Sequence, residues 1–320
     1  MPLGTEQPLL EGEDFLKPGH LDQDVAVAHR GRQGGQLGQT GGPADAAGGQ
    51  FVLRSFSAPA GTRAYKLYVP AQAVGSQKPK AGSLPLVVML HGCTQSADDF
   101  AAGTQMNRLA DEHGFVVVYP EQASGANASR CWNWFRAEDQ VRGAGEPALL
   151  AGLVQAVVAE HPVDPARVYV AGLSAGAAMA VVLGETYPEL FAAVGAHSGL
   201  PYAAAHDIPS AMAAMKGHSP MGMGHLPGTP ADPRRQAQRA VPVIVFHGDR
   251  DHTVQHSNGD RSAEQARAQQ ALQARSETDT APGGRRYTRT VHADADGHDD
   301  LPGKAFTVTG QTFQQKLPYS

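Results

Sequence analysis

The sequence predicts an α/β fold with a mostly parallel central sheet and helices on both faces. Apolar runs such as 84–92 and 115–120 alternate along the chain with helical patterns such as 146–162. Strands that are apolar throughout are typical of parallel sheets buried on both faces. With 320 residues, 41% of them hydrophobic, the chain is also large enough for one α/β core.

Ordered structure is expected to begin near Phe51. Segments 51–57 and 62–70 alternate apolar and polar residues, which predicts an antiparallel edge pair. Apolar patterns then predict helices over 97–113, 146–162, 175–184 and 261–275, and strands at 84–92, 115–120, 167–172, 191–199, 241–251 and 285–297. Residues 1–49 are polar and rich in glycine, which predicts a flexible leader before one domain over 50–320.

Composition argues against several classes of partner. The net charge is −5 without a strongly basic stretch, which disfavours nucleic acid. An apolar run of about 18 residues, as a membrane-spanning helix needs, does not occur. The N-terminal residues show no secretory signal, and two cysteines do not make a disulfide framework or a metal site. We expect no cofactor, and the oligomeric state stays open.

Ser174 is the first candidate for chemistry. It is the serine of a Gly-x-Ser-x-Gly pattern that lies between a β-forming run and an Ala-rich helical segment. A strained turn of this kind lifts a serine hydroxyl above the sheet edge, where the following helix directs free N–H groups towards it. We predict that Ser174 is a nucleophile; the alternative is a helix N-cap.

The acid of a catalytic triad is expected after a later strand. Asp249 and Asp251 both follow the apolar run 241–246, at the sheet edge where catalytic groups gather. We favour Asp251, whose spacing fits the H-G-x-x-D-x-x-V pattern of hydrolases. Asp249 is the second choice, and the remaining alternative is that both carboxylates only cap the turn.

The oxyanion hole is expected from two backbone amides. The turn after the run 84–90 supplies the N–H of Cys93, with Thr94 as the alternative, and Ala175 supplies the second N–H. His91 lies in the same turn. We expect it to shape the loop and assign it no role in proton transfer.

Residues 84–122, 129–135, 163–180 and 243–254 together resemble the poly(3-hydroxybutyrate) depolymerase family of esterases. These are α/β-hydrolases related to feruloyl and acetylxylan esterases, and the resemblance runs from about residue 51 to about 297. It implies a carboxylic ester hydrolase without a cofactor, commonly exported, with Ser174 as nucleophile and Asp251 as acid. Ala177 stands where the family often has glycine.

The resemblance is weakest at the C-terminal tail, residues 298–320. Family members usually continue into a strand and a segment carrying the catalytic histidine, whereas this sequence has no histidine after His298. Among the histidines after Asp251, His298 alone lies at a turn with the freedom to approach Ser174. It is therefore a weak candidate for the base, and a solvated turn residue is the favoured alternative.

Three further features surround the expected site. A bond between Cys93 and Cys131 would rigidify the oxyanion turn, as exported relatives allow; the alternative is two reduced thiols. Trp132 and Trp134 are candidates for an apolar substrate wall or for core packing. The insertion 201–240, with four methionines, is either a cap over the substrate or a long surface loop.

The sequence thus predicts a serine ester hydrolase acting on short-chain hydroxyalkanoate esters or oligomers. A feruloyl or acetylxylan esterase is the nearest alternative. A catalytically silent hydrolase fold, lacking the family histidine, is the alternative from another class. The resemblance implies an extracellular protein, and the cytoplasm is the alternative because no signal peptide is visible.

Overall fold

The computed structural model describes residues 48–74, 80–218, 241–267, 273–281, 283–293 and the backbone of 305–310. The strands in these ranges are β1 (Gln50–Ala58), β2 (Gly61–Val69), β3 (Leu84–Leu90), β4 (Val116–Pro120), β5 (Val163–Leu173), β6 (Ala193–His197), β7 (Val243–Gly248), β8 (Gln273–Ala281), β9 (Arg285–Ala293) and β10 (Ala305–Gly310). The helices are α1 (Ala71–Val74), α2 (Ala97–Thr104), α3 (Met106–His113), α4 (Gly145–Glu160), α5 (Ala175–Thr186), α6 (Ile208–Met215) and α7 (Ser257–Arg267), and a 3₁₀ turn spans Ala137–Gln140.

The described strands form one ten-stranded sheet in the order β1-β2-β4-β3-β5-β6-β7-β10-β9-β8. The six strands from β4 to β10 are parallel to one another. Antiparallel pairs flank them, with β1 and β2 at one end and β9 and β8 at the other. The carboxyl ends of the parallel strands therefore meet at one edge, where ligands bind in sheets of this kind.

The central strand β3 shows how the core is layered. All seven of its residues are buried, and its side chains alternate between the two faces. Leu86, Val88 and Leu90 pack in the cluster that contains α4 and α5, and Val87 and Met89 pack with residues of α2 and α3. Burial on both faces explains why this strand is apolar at every position.

Two of the predicted elements differ in the structure. The helix expected over 97–113 is two helices, because Gln105 adopts a left-handed conformation with φ 53°. The helix expected over 261–275 is wrong in its last residues, since α7 ends at Arg267 and β8 begins at Gln273. β8 is an exposed polar edge strand, so it carries no apolar pattern that could reveal it.

Several predictions fall outside the described residues. The leader is described only from residue 48, and the insertion 201–240 only up to residue 218. Within the insertion, Met212 and Met215 lie on α6, whereas Met221 and Met223 lie outside the described part. Of the tail, the backbone of β10 alone is described; it pairs in parallel with β7.

Candidate active site

Ser174 occupies the single residue between β5 and α5, at the carboxyl edge of the parallel strands. Its backbone has φ 55° and ψ −118°, a conformation that a residue with a side chain rarely adopts. Such strain costs about 1–3 kcal/mol and persists where surrounding contacts enforce it. Here the Ser174 N–H donates to the His197 carbonyl at the end of the neighbouring strand β6, at 2.8 Å.

Two glycines make this turn possible. A Cβ atom on Gly172 would lie 2.3 Å from the carbonyl carbon of Gly176, and one on Gly176 would lie 2.1 Å from the Leu90 carbonyl oxygen. Both distances are far below contact distance, and the atoms approached belong to the backbone. The pattern Gly-x-Ser-x-Gly is therefore needed because the first turn of α5 packs directly on the ends of β5 and β3.

The candidate oxyanion amides belong to these two strand ends. Ala175 is the first residue of α5, so its N–H lies outside the hydrogen-bond ladder of the helix. Thr94 is the weaker alternative to Cys93, because its N–H donates to the Ser129 carbonyl at 2.7 Å. Of the two amides considered in this turn, that of Cys93 is the one left to meet a substrate oxygen.

The Cys93 turn is held from several sides. A disulfide joins Cys93 to Cys131, with the two Cα atoms 4.2 Å apart. The Gln95 side chain accepts a hydrogen bond from the Gly92 N–H at 2.8 Å. These contacts restrict the turn before any substrate binds, which is the condition for effective oxyanion stabilisation.

His91 has a structural environment, in keeping with the expectation from the sequence. Its Nδ1 contacts the Gly92 carbonyl at 2.7 Å, and its Nε2 accepts a hydrogen bond from the Gln122 N–H at 3.0 Å. Burial lowers the pKa of His91 from its ordinary value, against the opposing effect of the Gly92 carbonyl. A neutral ring with both nitrogens bonded to backbone groups has no free atom for proton transfer.

The expectation that the tryptophans form a substrate wall is corrected by the structure. Trp132 is 0% exposed and Trp134 is 6% exposed, so neither ring presents a face to a substrate. The Trp132 Nε1–H donates to the His91 carbonyl at 3.0 Å, and the Arg63 guanidinium lies 5.4 Å from its ring centre. Trp132 therefore supports the oxyanion turn from the core.

The two candidate acids have different surroundings. Asp251 is partly buried, and its Oδ1 accepts hydrogen bonds from the N–H groups of Thr253 and Val254, both at 2.9 Å. Its Oδ2 lies 3.6 Å from the Nε2 of the buried His247. Asp249 is exposed to solvent. Only Asp251 is oriented by protein contacts, which favours it over Asp249 as the residue that orients a base.

Two histidines, His247 and His197, interact with Asp251 in the structure, and no pattern in the sequence marks them for this position. His247 lies on β7, and its Nε2 contacts the Val254 carbonyl at 2.8 Å; burial lowers its pKa. His197 ends β6, between the strands that precede Ser174 and Asp251. Burial lowers the pKa of His197 to about 4, with a further lowering from His247 and an opposing effect of Asp251.

The base of the triad stays a prediction. His298 lies outside the described residues. His252 and His256 are exposed, in the segment between Asp251 and the start of α7. His292 lies within β9 and pairs with Ala305 of β10. The structure therefore places Ser174, the two candidate oxyanion amides and the strand before Asp251 at one edge of the sheet, and the base is left for experiment to identify.

Known proteins match most of this chain. Residues 63–290 match the family described as Esterase PHB depolymerase. The chain belongs to this family. Poly(3-hydroxyalkanoate) depolymerase C of Paucimonas lemoignei is 36% identical over 231 residues, which cover 71% of this chain and 54% of that protein. Feruloyl esterase B of Neurospora crassa is 37% identical over 119 residues, 37% of this chain and 40% of that protein.

The chain therefore spans about half the length, or less, of these curated relatives. Among solved structures, an acetyl xylan esterase from Aspergillus awamori has a TM-score of 0.59 at 21% identity, covering 81% of this chain and 92% of that one. This likeness shows the fold: the central sheet of this chain is that of an α/β-hydrolase.

Within the described ranges, neither a metal site nor a membrane-spanning helix is found. Among those residues, no group of three or more histidine, cysteine, aspartate or glutamate side chains is placed to hold a metal ion. In the same part of the chain, no helix has the length and apolar character that crossing a membrane requires.

Proposed function

We propose that this chain is a serine hydrolase of carboxylic esters. The observation that carries the proposal is the strained turn at Ser174, next to the Cys93 and Ala175 amides and on the same sheet edge as Asp251. The family and the matched relatives support the same reaction class. A turn this strained is costly to maintain, and a reacting serine is the common reason for it.

The reaction proceeds through an acyl-serine. The Ser174 oxygen attacks the ester carbonyl carbon as its proton passes to the base, and the carbonyl oxygen gains a negative charge held by the two amides. Collapse of the tetrahedral intermediate expels the alcohol, which takes up that proton. The base then takes a proton from water as the water oxygen adds to the acyl carbon, and collapse of this second tetrahedral intermediate returns the proton to Ser174 and releases the acid.

A histidine is the proposed base, with Asp251 orienting its ring and stabilising the imidazolium. His298 is the candidate within this sequence. If His298 is the base, its replacement by alanine lowers ester turnover by about 10²- to 10⁴-fold, the usual contribution of a general base. A full rate in His298→Ala would remove it from the mechanism.

Short-chain hydroxyalkanoate esters or oligomers are the proposed substrates, and polyester degradation is the proposed process. The depolymerase match over 71% of the chain favours this class. An aryl ester such as a feruloyl ester is the second candidate, favoured by the feruloyl esterase match. Comparing kcat/KM for a 3-hydroxybutyrate oligomer with that for methyl ferulate decides between them.

The direct test of the reaction class is turnover of a chromogenic short-chain ester by the chain and by Ser174→Ala. Turnover that is lost in the variant supports the proposal. Equal rates for both proteins, or no turnover of any ester, would favour a catalytically silent member of the family.

We also propose that the protein works outside the cytoplasm. The Cys93–Cys131 disulfide supports this, because such bonds persist in oxidising compartments and are rare in the reducing cytosol. Fractionation of the source cells, followed by detection of the protein with its disulfide intact, tests the location.

A further inference from the structure

A cluster of buried polar side chains lies behind the loop that contains the disulfide and the tryptophans. Its members are between 1% and 6% exposed: Arg63, Gln122, Asn133, Asp139 and Glu146. Three of these side chains are ionisable, namely Arg63, Asp139 and Glu146, which is unusual in a core because desolvating an ion costs several kcal/mol even after relaxation. Such a cluster needs an explanation beyond stability, since apolar residues of similar volume often stabilise a core as well.

Glu146, in the first turn of α4, is the centre of the cluster. Its Oε2 accepts the Asn133 N–H at 2.8 Å, and its Oε1 accepts the Asn133 Nδ2 at 3.0 Å and the side-chain amide of Gln122. The Arg63 Nη2 lies 3.7 Å from Oε1, and the Arg63 Nη1 donates to the Gln122 side chain. The carboxylate thus holds both the backbone and the side chain of Asn133, within the 131–134 loop.

Burial governs the charges in this cluster. It raises the pKa of Glu146, against the hydrogen bonds from Gln122 and Asn133, and it lowers the pKa of Arg63, against the attraction of Glu146. Both groups are therefore removed from water, and each depends on the other and on fixed amides for its charge. Because water is excluded from this site, a small displacement of one partner leaves a polar group without a hydrogen bond and costs free energy.

The cluster is connected to the turn at residues 91–93 by hydrogen bonds and by the disulfide. Gln122 donates from its side chain to the Cys131 carbonyl at 2.9 Å, and from its backbone to the His91 Nε2 at 3.0 Å. Cys131 is bonded through its sulfur to Cys93. The residue between Cys131 and Asn133, Trp132, donates to the His91 carbonyl at 3.0 Å. Residues 91 and 93 are therefore tied to the cluster through a disulfide and two hydrogen bonds.

We propose that Glu146 and Arg63 are positioning residues for the oxyanion hole, acting through Gln122, Asn133 and the disulfide on the Cys93 amide. This inference rests on the proposed esterase function. The charged pair provides directional contacts that an apolar core would not, and these hold the 131–134 loop in one place. Neither residue touches the substrate; both determine where the Cys93 N–H points when charge develops on the carbonyl oxygen.

Glu146→Gln tests the proposal, because it keeps the shape of the side chain and removes its charge. Glu189→Gln is the matched control: Glu189 is also paired with an arginine, Arg142, but both side chains are about half exposed. Two quantities are measured for each protein, namely kcat and KM for a chromogenic ester, and hydrogen exchange of the amides at 91–95 and 131–134 relative to those of β6.

The expected result is a fall in kcat of about 10-fold or more with KM little changed, because the oxyanion contacts act mainly in the transition state. Amide exchange should quicken at 91–95 and 131–134 but not in β6, and Glu189→Gln should match the parent in both quantities. Arg63→Lys keeps the charge but has no second nitrogen to contact Gln122 and Glu146 at once. It should show the same pattern more weakly, and it replaces Glu146→Gln if that variant does not fold.

Two results would overturn the proposal: an unchanged kcat in a folded variant, or exchange that quickens uniformly over the whole chain. The exchange measurement also separates this inference from the esterase proposal. If the parent chain turns over no ester, the esterase proposal fails, while local exchange at 91–95 still reveals whether the cluster holds the turn. If amide exchange at 91–95 does not change in the variant, Glu146 does not hold the turn that contains Cys93.

Discussion

The two halves of the candidate site are built differently. On the side of β3 and β5, the proposed nucleophile and the proposed oxyanion amides are fixed by backbone packing, a disulfide and buried hydrogen bonds. On the side of β7, the Asp251 carboxylate accepts hydrogen bonds from two N–H groups of its own loop. Its Oδ2 lies 3.6 Å from the His247 Nε2. The first half is held by contacts within the described residues, whereas the second needs a histidine base, for which His298, outside the described residues, is the candidate.

This difference separates two contributions to catalysis. Oxyanion stabilisation needs only the rigid half, because it uses amides fixed before the reaction. Proton transfer needs the other half, because a base must reach both Ser174 and Asp251. In well-studied serine enzymes the oxyanion hole and binding alone leave about 10³-fold catalysis over water when the triad is broken. The following variants disturb one half at a time.

The largest expected effect comes from the acid. Asp251→Asn should lower kcat by up to about 10⁴-fold if a histidine completes the triad, because the amide cannot stabilise the imidazolium. Asp249→Asn, at the exposed neighbour, should leave kcat within about twofold. Steady-state kinetics with a chromogenic ester measures both. A larger loss in Asp249→Asn would reverse the assignment, and no loss in either would show that a base paired with aspartate is absent.

Gly176→Ala should produce the largest loss of stability. Its Cβ would lie 2.1 Å from the Leu90 carbonyl oxygen, which belongs to the central strand and cannot move aside. We expect a loss of about 4 kcal/mol in the free energy of unfolding, above the usual cost of overpacking. Gly125→Ala is the control, since a Cβ there meets nothing within 4 Å. Urea denaturation that finds equal stability for the two variants would contradict the close packing described here.

Removing the disulfide should have a somewhat smaller effect. Replacing Cys93 and Cys131 together by serine should lower the free energy of unfolding by about 3 kcal/mol, because the bond closes a loop of 38 residues. It should also lower kcat more than it changes KM, since the Cys93 amide loses one restraint. Denaturant titration and kinetics of the double variant, beside the parent treated with a reductant, test both effects. A stable variant with full activity would remove the disulfide from the account.

The smallest expected effect concerns pH and the acid half. The pKa of His197 falls to about 4, so below about pH 6.5 the unfolded chain binds a proton that the folded chain does not. Stability is therefore full above that pH and is lost as the pH falls towards 4. We expect this residue to contribute a loss on the order of 2 kcal/mol. Urea unfolding at pH 7 and pH 4 should show a smaller difference in His197→Gln than in the parent; an equal difference would exclude His197 as the cause.

Much of the fold was predictable because buried parallel strands are apolar throughout. β3 and β4 appear in the sequence as continuous apolar runs, and the turn at Ser174 is marked by glycines whose Cβ atoms would collide with the backbone. The break at Gln105 was not predictable, because a single left-handed residue leaves the helical pattern of its neighbours unchanged. The exposed strand β8 has polar residues that carry no periodic apolar signal.

The candidate site was only partly predictable for a related reason. Ser174 and the Cys93 turn follow from local patterns, whereas the role of Trp132 depends on contacts with residues 41 and 69 positions away, His91 and Arg63. Glu146 likewise begins an ordinary helix, and only the tertiary structure reveals that its carboxylate is buried against Arg63. Long-range contacts of buried polar groups leave no periodic signal in a sequence.

The central claim is that Ser174 is a nucleophile held beside a preformed oxyanion hole. It is tested most directly by treating the chain with an activated phosphonate ester, which forms a covalent bond to a reactive serine, and locating the adduct by mass spectrometry of the digested protein. We expect one adduct, on the peptide that contains Ser174, and none in Ser174→Ala. Modification of another serine, or an adduct that survives in Ser174→Ala, would contradict it.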